Sequence, residues 1–261
     1  MTAASTDAGV FLVDDAVFST HEVRRLTREE EELQSAVQPR AIDEILYIAS
    51  VVAQQHHFPV DVVNNVLAFA GVLLVFETET SEHRHGRSNM NEQYLQLQIP
   101  TAEQLHVPHG VDVGKCFQLV TDCVSKDQGW ATDEREHNGT YRNSSSWIEV
   151  SVSSTSTEGD SKETVRMPLW PNLRASRTFR HHRKLFDSST ELLEHIRLGD
   201  CVSIVLRSEY PGWTNSAKYG RVVACFAVEF QDDFSFADVP FPSRSGGAKE
   251  CKDPSAPCCL Q

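Results

Sequence analysis

The chain reads as a mainly β protein, a β-sandwich or jelly roll carrying a small N-terminal helical element. Three observations predict this. Stretches with a hydrophobic period of two recur through the second half, separated by long polar loops. A single helical pattern intervenes among them, too little for an alternating βαβ fold. The remaining helical spacing is confined to residues 41–70.

Taken in order, residues 1–38 form an acidic arm that includes Arg28-Glu29-Glu30-Glu31-Glu32, too charged to bury. The helical element covers 39–77. In 41–54, Ile42, Ile45, Leu46, Ile48, Ala49 and Val52 recur at helical spacing, and His56-His57-Phe58-Pro59 interrupts the pattern. A second helix starts at Pro59 or Val60, places Asp61 in its first turn and ends at Gly71. Its apolar side is Val62, Val63, Val66, Leu67 and Ala70. Residues 72–76 turn β-branched and aromatic, so a strand begins there.

Residues 78–92 read as a mobile polar connection, and the sandwich domain is expected over 93–232. Alternation predicts strands at 94–99, 115–124, 146–153, 201–207 and 221–230, with Tyr210-Pro211-Gly212-Trp213 turning between the last two. Ser188 or Ser189 is expected to cap a helix with Glu191 in its first turn and Leu192, Leu193 and Ile196 inward. Residues 233–261 read as a flexible tail.

Composition narrows the function. Net charge is −13 over 261 residues, which argues against a nucleic-acid binder, since that needs a positive surface field. The start lacks the basic residues of a secretory leader, and the apolar run at 66–76 is too short to cross a bilayer. Seven cysteines without a CxxC array read as reduced thiols of a cytoplasmic protein. The His56-His57, His83/His85 and His181-His182 pairs lack the spacing of a metal site, so no metal is expected. Neither a phosphate-cradling glycine loop nor a nucleophile elbow is present, and no cofactor or catalytic residue is assigned. Cys258-Cys259-Leu260-Gln261 matches a prenylation signal with Cys258 as acceptor, which would bring part of the protein to a membrane periphery.

Two groups of residues could carry binding. Trp130, Tyr141 and Trp213 sit near glycines in polar loops, with Asp127, Gln128, His137, Asn138 and Arg142 close in sequence, and Trp147, in an alternating strand, is the weakest member of this aromatic group. Rings can cover the apolar face of a sugar or peptide while amides and charges take its polar groups. Residues 162–184 carry seven Lys or Arg against Glu163 alone. Arg174, Arg177, Arg180, Arg183 and Lys184 form the candidate anion patch.

Phe58-Pro59, Asp61 and the short apolar helix after them resemble the opening of an F-box. That resemblance implies docking of a ubiquitin-ligase linker subunit on Val62, Val63, Val66 and Leu67. Asp127-Gln128-Gly129-Trp130, Gly139-Thr140-Tyr141 and Pro211-Gly212-Trp213 resemble phrases of a group of uncharacterised fungal and oomycete-type proteins. The arrangement is also similar to lectin and galactose-binding-like sandwiches, an analogy of architecture that does not fix function. The expectation is a non-enzymatic module that binds a protein or carbohydrate. An F-box-like adaptor and a carbohydrate-active enzyme are the alternatives.

Overall fold

The computed structural model describes residues 10–12, 41–155, 161–187 and 189–239. Most of the acidic arm, Ser188, and the tail with Cys258 lie outside the described residues.

The described chain is mainly β, two antiparallel sheets facing each other with small N-terminal helices. The first sheet is six-stranded. It runs β1 (Val10–Leu12), β8 (Arg180–Phe186), β5 (Val111–Lys126), β10 (Thr214–Phe230) and β2 (Leu74–Thr80), and β3 (Arg84–Arg87) extends the β2 side of β10. The second runs β4 (Met90–Gln98), β9 (Cys201–Ser208), β6 (Ser146–Thr155) and β7 (Ser161–Pro171). Alternation works as expected in β6, where Ile148, Val150 and Val152 are fully buried while Trp147 and Ser151 on the other face are only half-buried. They meet Phe186, Leu119, Val222, Ala224 and Phe226 of the first sheet in one core, with Trp170 at its edge.

Helices α1 (Ile42–His56) and α2 (Val60–Phe69) close one end of this sandwich. Ile45, Ala49, Val63 and Leu67 belong to the same hydrophobic cluster as the sheets. Asn64 exchanges two hydrogen bonds of 2.9 Å with the backbone of Phe230, and Ser50 and Gln54 donate to the Phe236 carbonyl at 3.0 and 2.8 Å. Phe230, Phe234 and Phe236 cluster with ring centroids 5.0 to 5.2 Å apart. Residues 233–239, expected in the tail, are therefore docked beneath α1, because their phenylalanines have apolar surface to bury there.

The 78–92 connection is also corrected. It holds the end of β2, all of β3 and the start of β4. β3 is largely exposed, so its stability comes from pairing with β10 and no apolar period marks it. Gly86 in β3 leaves room for the Met90 side chain, which would have to shift if a Cβ were added there. Ser88 and Asn89, both left-handed at φ 37° and 57°, then turn the chain into β4. Nor does Ser189 cap the last helix, α3 (Glu191–Glu194). Thr190 holds the cap position, and the Ser189 hydroxyl donates to Asp187 at 2.5 Å.

Opposite the helices, a buried amide pair joins the sheets. Asn172 accepts from Ser125 Oγ at 2.7 Å and donates to Ser146 Oγ and Asn215 Oδ1 at 3.0 Å each. Asn215 donates to the carbonyls of Trp147 and Arg207 at 2.8 and 2.9 Å. Ser125 and Asn215 belong to the first sheet, Ser146, Trp147 and Arg207 to the second. Replacing Asn215 by Ala strands two carbonyls and an amide hydrogen in the core, and should cost about 3 kcal/mol in urea unfolding.

Across the outer face of the first sheet runs an ionic row. Buried Asp122 accepts two hydrogen bonds from Arg183, at 2.7 and 3.0 Å, and one contact from His181 at 2.8 Å. Arg221 lies 3.6 Å away and reaches on to Glu77 at 2.5 Å. Burial alone would push the Asp122 carboxyl up, but hydrogen bonds and charge from His181 and Arg183 hold it below the usual 3.8. Its contribution is therefore complete above that value and is lost as pH falls beneath it. Asp122→Asn should lower stability by about 3 kcal/mol near neutrality, and the two unfolding curves should converge in acid.

Candidate functional site

The ends of β5, β7 and β9 and the starts of β6, β8 and β10 all lie at the amide-pair end, so their loops gather there, with the β3–β4 turn beside them. Two clefts open among these loops. One, of about 600 Å³, is lined by Trp147, Tyr210, Trp213, Arg174, Asn143, Ser144 and Ser145 and by the acids Asp133, Glu134 and Glu209. The other, of about 630 Å³, lies between β3, the end of β5, Trp130 and Phe179. The 210–213 turn separates them: Tyr210 and Trp213 face the first, and Gly212 lies in the second beside the Trp130 ring.

Arg174 builds the first cleft. It is 1% exposed, stacks its guanidinium 5.2 Å from the Trp213 ring centroid, and donates to Asn138 Oδ1 at 3.3 Å, the Asn143 carbonyl, and the Asp133 carbonyl at 2.8 Å. It also meets the Asp133 carboxylate at 3.1 Å, and that hydrogen bond holds the Asp133 carboxyl low. One buried cation thus ties the 127–145 loop to the aromatic turn. Trp147 stands on the outer face of β6, its Nε1 donating to Glu149 at 2.6 Å and Arg207 lying 5.4 Å from its ring. Tyr210 is 57% exposed and holds φ 65°, a left-handed conformation that costs a non-glycine residue about 1 kcal/mol.

Asp127 is a scaffold. It is 1% exposed, and its oxygens accept from the amides of Gly129, Ala175 and Ser176 at 2.8, 2.7 and 3.1 Å. Burial pushes its carboxyl up, against the pull of those amides. Gln128 ties Trp130 O and Thr214 N together at 2.8 and 3.3 Å. The Tyr141 hydroxyl meets His182 Nε2 at 3.1 Å, and His182 stacks on Trp170. Burial drives that imidazole down to about 3, so it stays neutral.

The aromatic group expected from sequence is thus divided. Trp130 and Gln128 line one cleft and Trp213 the other. His137, Asn138, Tyr141 and Arg142 belong to the loop between β5 and β6 but line neither cleft. Tyr210 lies outside the group expected from sequence, although it opens the Pro211-Gly212-Trp213 turn; Trp147, the weakest member of that group because it lies in an alternating strand, lines the first cleft beside Trp213.

The anion patch does not form as expected. Arg174 is internal, Arg183 is engaged by Asp122, and Lys184 is buried with its ammonium 5.0 Å from the Phe186 ring. Arg177 is exposed and Arg180 half-buried. Strand alternation in β8 sends Arg183 and Lys184 to opposite faces, so a run of basic sequence cannot become one surface. On α2, Val63 and Leu67 are buried and Val62 and Val66 half-buried.

No family model matches the chain, and no curated protein matches it. Among solved structures it has a slight similarity to the enzymatically active domain of a bacteriophage CBA120 tailspike protein, with 10% identity and a TM-score of 0.23 over 57% of this chain. A family two carbohydrate esterase from Cellvibrio japonicus is similar at 10% identity and a TM-score of 0.16 over 62% of this chain. The chain spans 19% and 36% of those two proteins, and neither likeness carries an argument about function.

Proposed function

We propose that the protein is a non-enzymatic binding module that takes a saccharide ring in the cleft of Trp147, Tyr210 and Trp213. The observation that carries this reading is Tyr210: the chain holds it in a strained conformation with its ring exposed, beside two further aromatics and a set of hydroxyl, amide and carboxylate groups. Strain retained at an exposed ring points to a use for that ring. Aromatic faces cover the apolar face of a sugar while Asn143, Ser144 and Glu209 can take its hydroxyls.

Hydrolysis of such a ligand is less well supported. Glycoside chemistry wants one carboxyl with a raised pKa facing a second, ionised one. In this cleft Asp133 is held low by Arg174, and Glu134 accepts from Asn143 at 2.6 Å. Among the described residues, the carboxyl that burial does raise is Asp127, which is closed off by three backbone amides. The adaptor reading has to contend with Val63 and Leu67, two of the side chains a linker subunit would contact, being already inside the core.

Titration of the full chain against a saccharide array tests the proposal. Tyr210→Gly should raise thermal stability by about 1 kcal/mol, since glycine tolerates that backbone. It should weaken binding by about 2 kcal/mol through loss of the ring. Absence of saccharide binding by the wild type, or binding that Tyr210→Gly leaves unchanged, defeats the reading.

A further inference from the structure

The second cleft has a different chemistry. His85 and Arg87 reach it from β3, His83 from the residue just before that strand, and Lys126 from the end of β5. The Lys126 ammonium lies 4.7 Å from the Phe179 ring centroid and that of Lys218, from β10, lies 4.8 Å from the same centroid. The His83 ring approaches Phe179 edge-on at 5.9 Å. The cations Arg87, Lys126 and Lys218 come from three separate segments of a chain whose net charge is −13. The meeting of Lys126 and Lys218 over one aromatic ring is a product of folding.

Such a gathering is costly by itself. Like charges within a few ångströms repel, and the ring quadrupole offsets only part of that, about 0.5–1 kcal/mol per cation at an exposed site. Among the described residues, no ion pair engages Arg87, Lys126 or Lys218. The bond made by Lys126 is to the Arg177 carbonyl at 3.5 Å. The acid in the lining, Asp127, is buried with its oxygens turned to backbone amides. The repulsion registers on the groups themselves. Burial and then Lys126 push the Lys218 ammonium down; burial followed by Arg87, His83 and Lys126 does the same to His85. His85 is fixed in place by Ser216 Oγ at 2.7 Å. Beside this cluster stands Trp130, 55% exposed and carried by the backbone of a rigid turn.

We propose that this cleft binds an oxyanion ester, a phosphate or sulfate group on a ring, with Arg87 and Lys126 of its lining taking the anion, Lys218 reinforcing them from over the Phe179 ring at the cleft's margin, and Trp130 stacking on the ring. An anion with several acceptor oxygens satisfies convergent donors that have no carboxylate of their own. A ring-bearing ester matches a cleft of about 630 Å³ better than a bare ion does, because it leaves the Trp130 face covered. The proposal goes beyond the saccharide reading and stands on different residues.

Calorimetric titration of the full chain with phenyl phosphate, phenyl sulfate and inorganic phosphate, at constant ionic strength, tests it. At least one phenyl ester should bind at least tenfold more tightly than inorganic phosphate, and the tighter of the two names the ester. Trp130→Ala should abolish that preference. The double variant Lys126→Gln/Lys218→Gln should weaken ester binding tenfold or more. Without ligand, its melting temperature should equal or exceed that of the wild type, since the repulsion is gone. Tyr210→Gly should bind the esters as the wild type does, which separates this site from the saccharide cleft. Lack of saturable binding, binding unchanged in the double variant, or a double variant less stable than the wild type overturns the proposal.

Discussion

The Asn172–Asn215 amide pair is the constraint on which the cleft-bearing end of the molecule depends. Two primary amides sit among apolar side chains, where an unpaired polar atom is expensive. They are tolerated because each amide hydrogen and each amide oxygen has a partner. The partners are distributed over both sheets, so the network is satisfied at one spacing and one register only. Asn215 sits two residues after Trp213 and Asn172 two before Arg174, so the turn and the guanidinium that build the first cleft are carried directly on the pair.

From that anchor the loops are stiffened by successive charge–backbone contacts. Arg174 gathers the carbonyls of Asp133 and Asn143, and Asp127 gathers the amides of Gly129, Ala175 and Ser176. Both are charged groups used as internal braces, one organising acceptors and the other donors. The consequence is that Trp130, Trp147, Tyr210 and Trp213 stand on backbone that is already ordered, so the proposed binding through them would lose less conformational entropy. The two ends of the sandwich divide the work. Helices α1 and α2 seal the core at one end, and the other is left to loops with strained and charged features that a core could not hold.

The ionic row on the outer face shows a related economy. Asp122 is buried by its neighbours on β8 and β10, and the row reaches Glu77 on β2 through Arg221. It links the strands at the level of side chains as the ladders do at the level of backbone. Several cations of the basic stretch are absorbed here or in the loops, which is why the positive surface arises elsewhere, from β3, Lys126 and Lys218.

The sequence by itself determined the fold class, the two N-terminal helices and most strands with an apolar face, because period and turn chemistry are local properties. It also singled out the Asp127–Trp130 and Pro211–Trp213 loops, where glycine and aromatic residues stand together. It could not show β3, whose ladder to β10 leaves no hydrophobic period, or the docking of residues 233–239, whose partners lie about 180 positions away. Tertiary structure alone decided which charges were spent internally. Arg174 and Arg177 look alike in sequence, yet one is buried in a web of carbonyls and the other exposed. Lys126 and Lys218 are 92 positions apart and share one ring. Charge has no periodicity to read. Its role is set by which side chains the sheets bring within a few ångströms, and that is a property of the packed molecule.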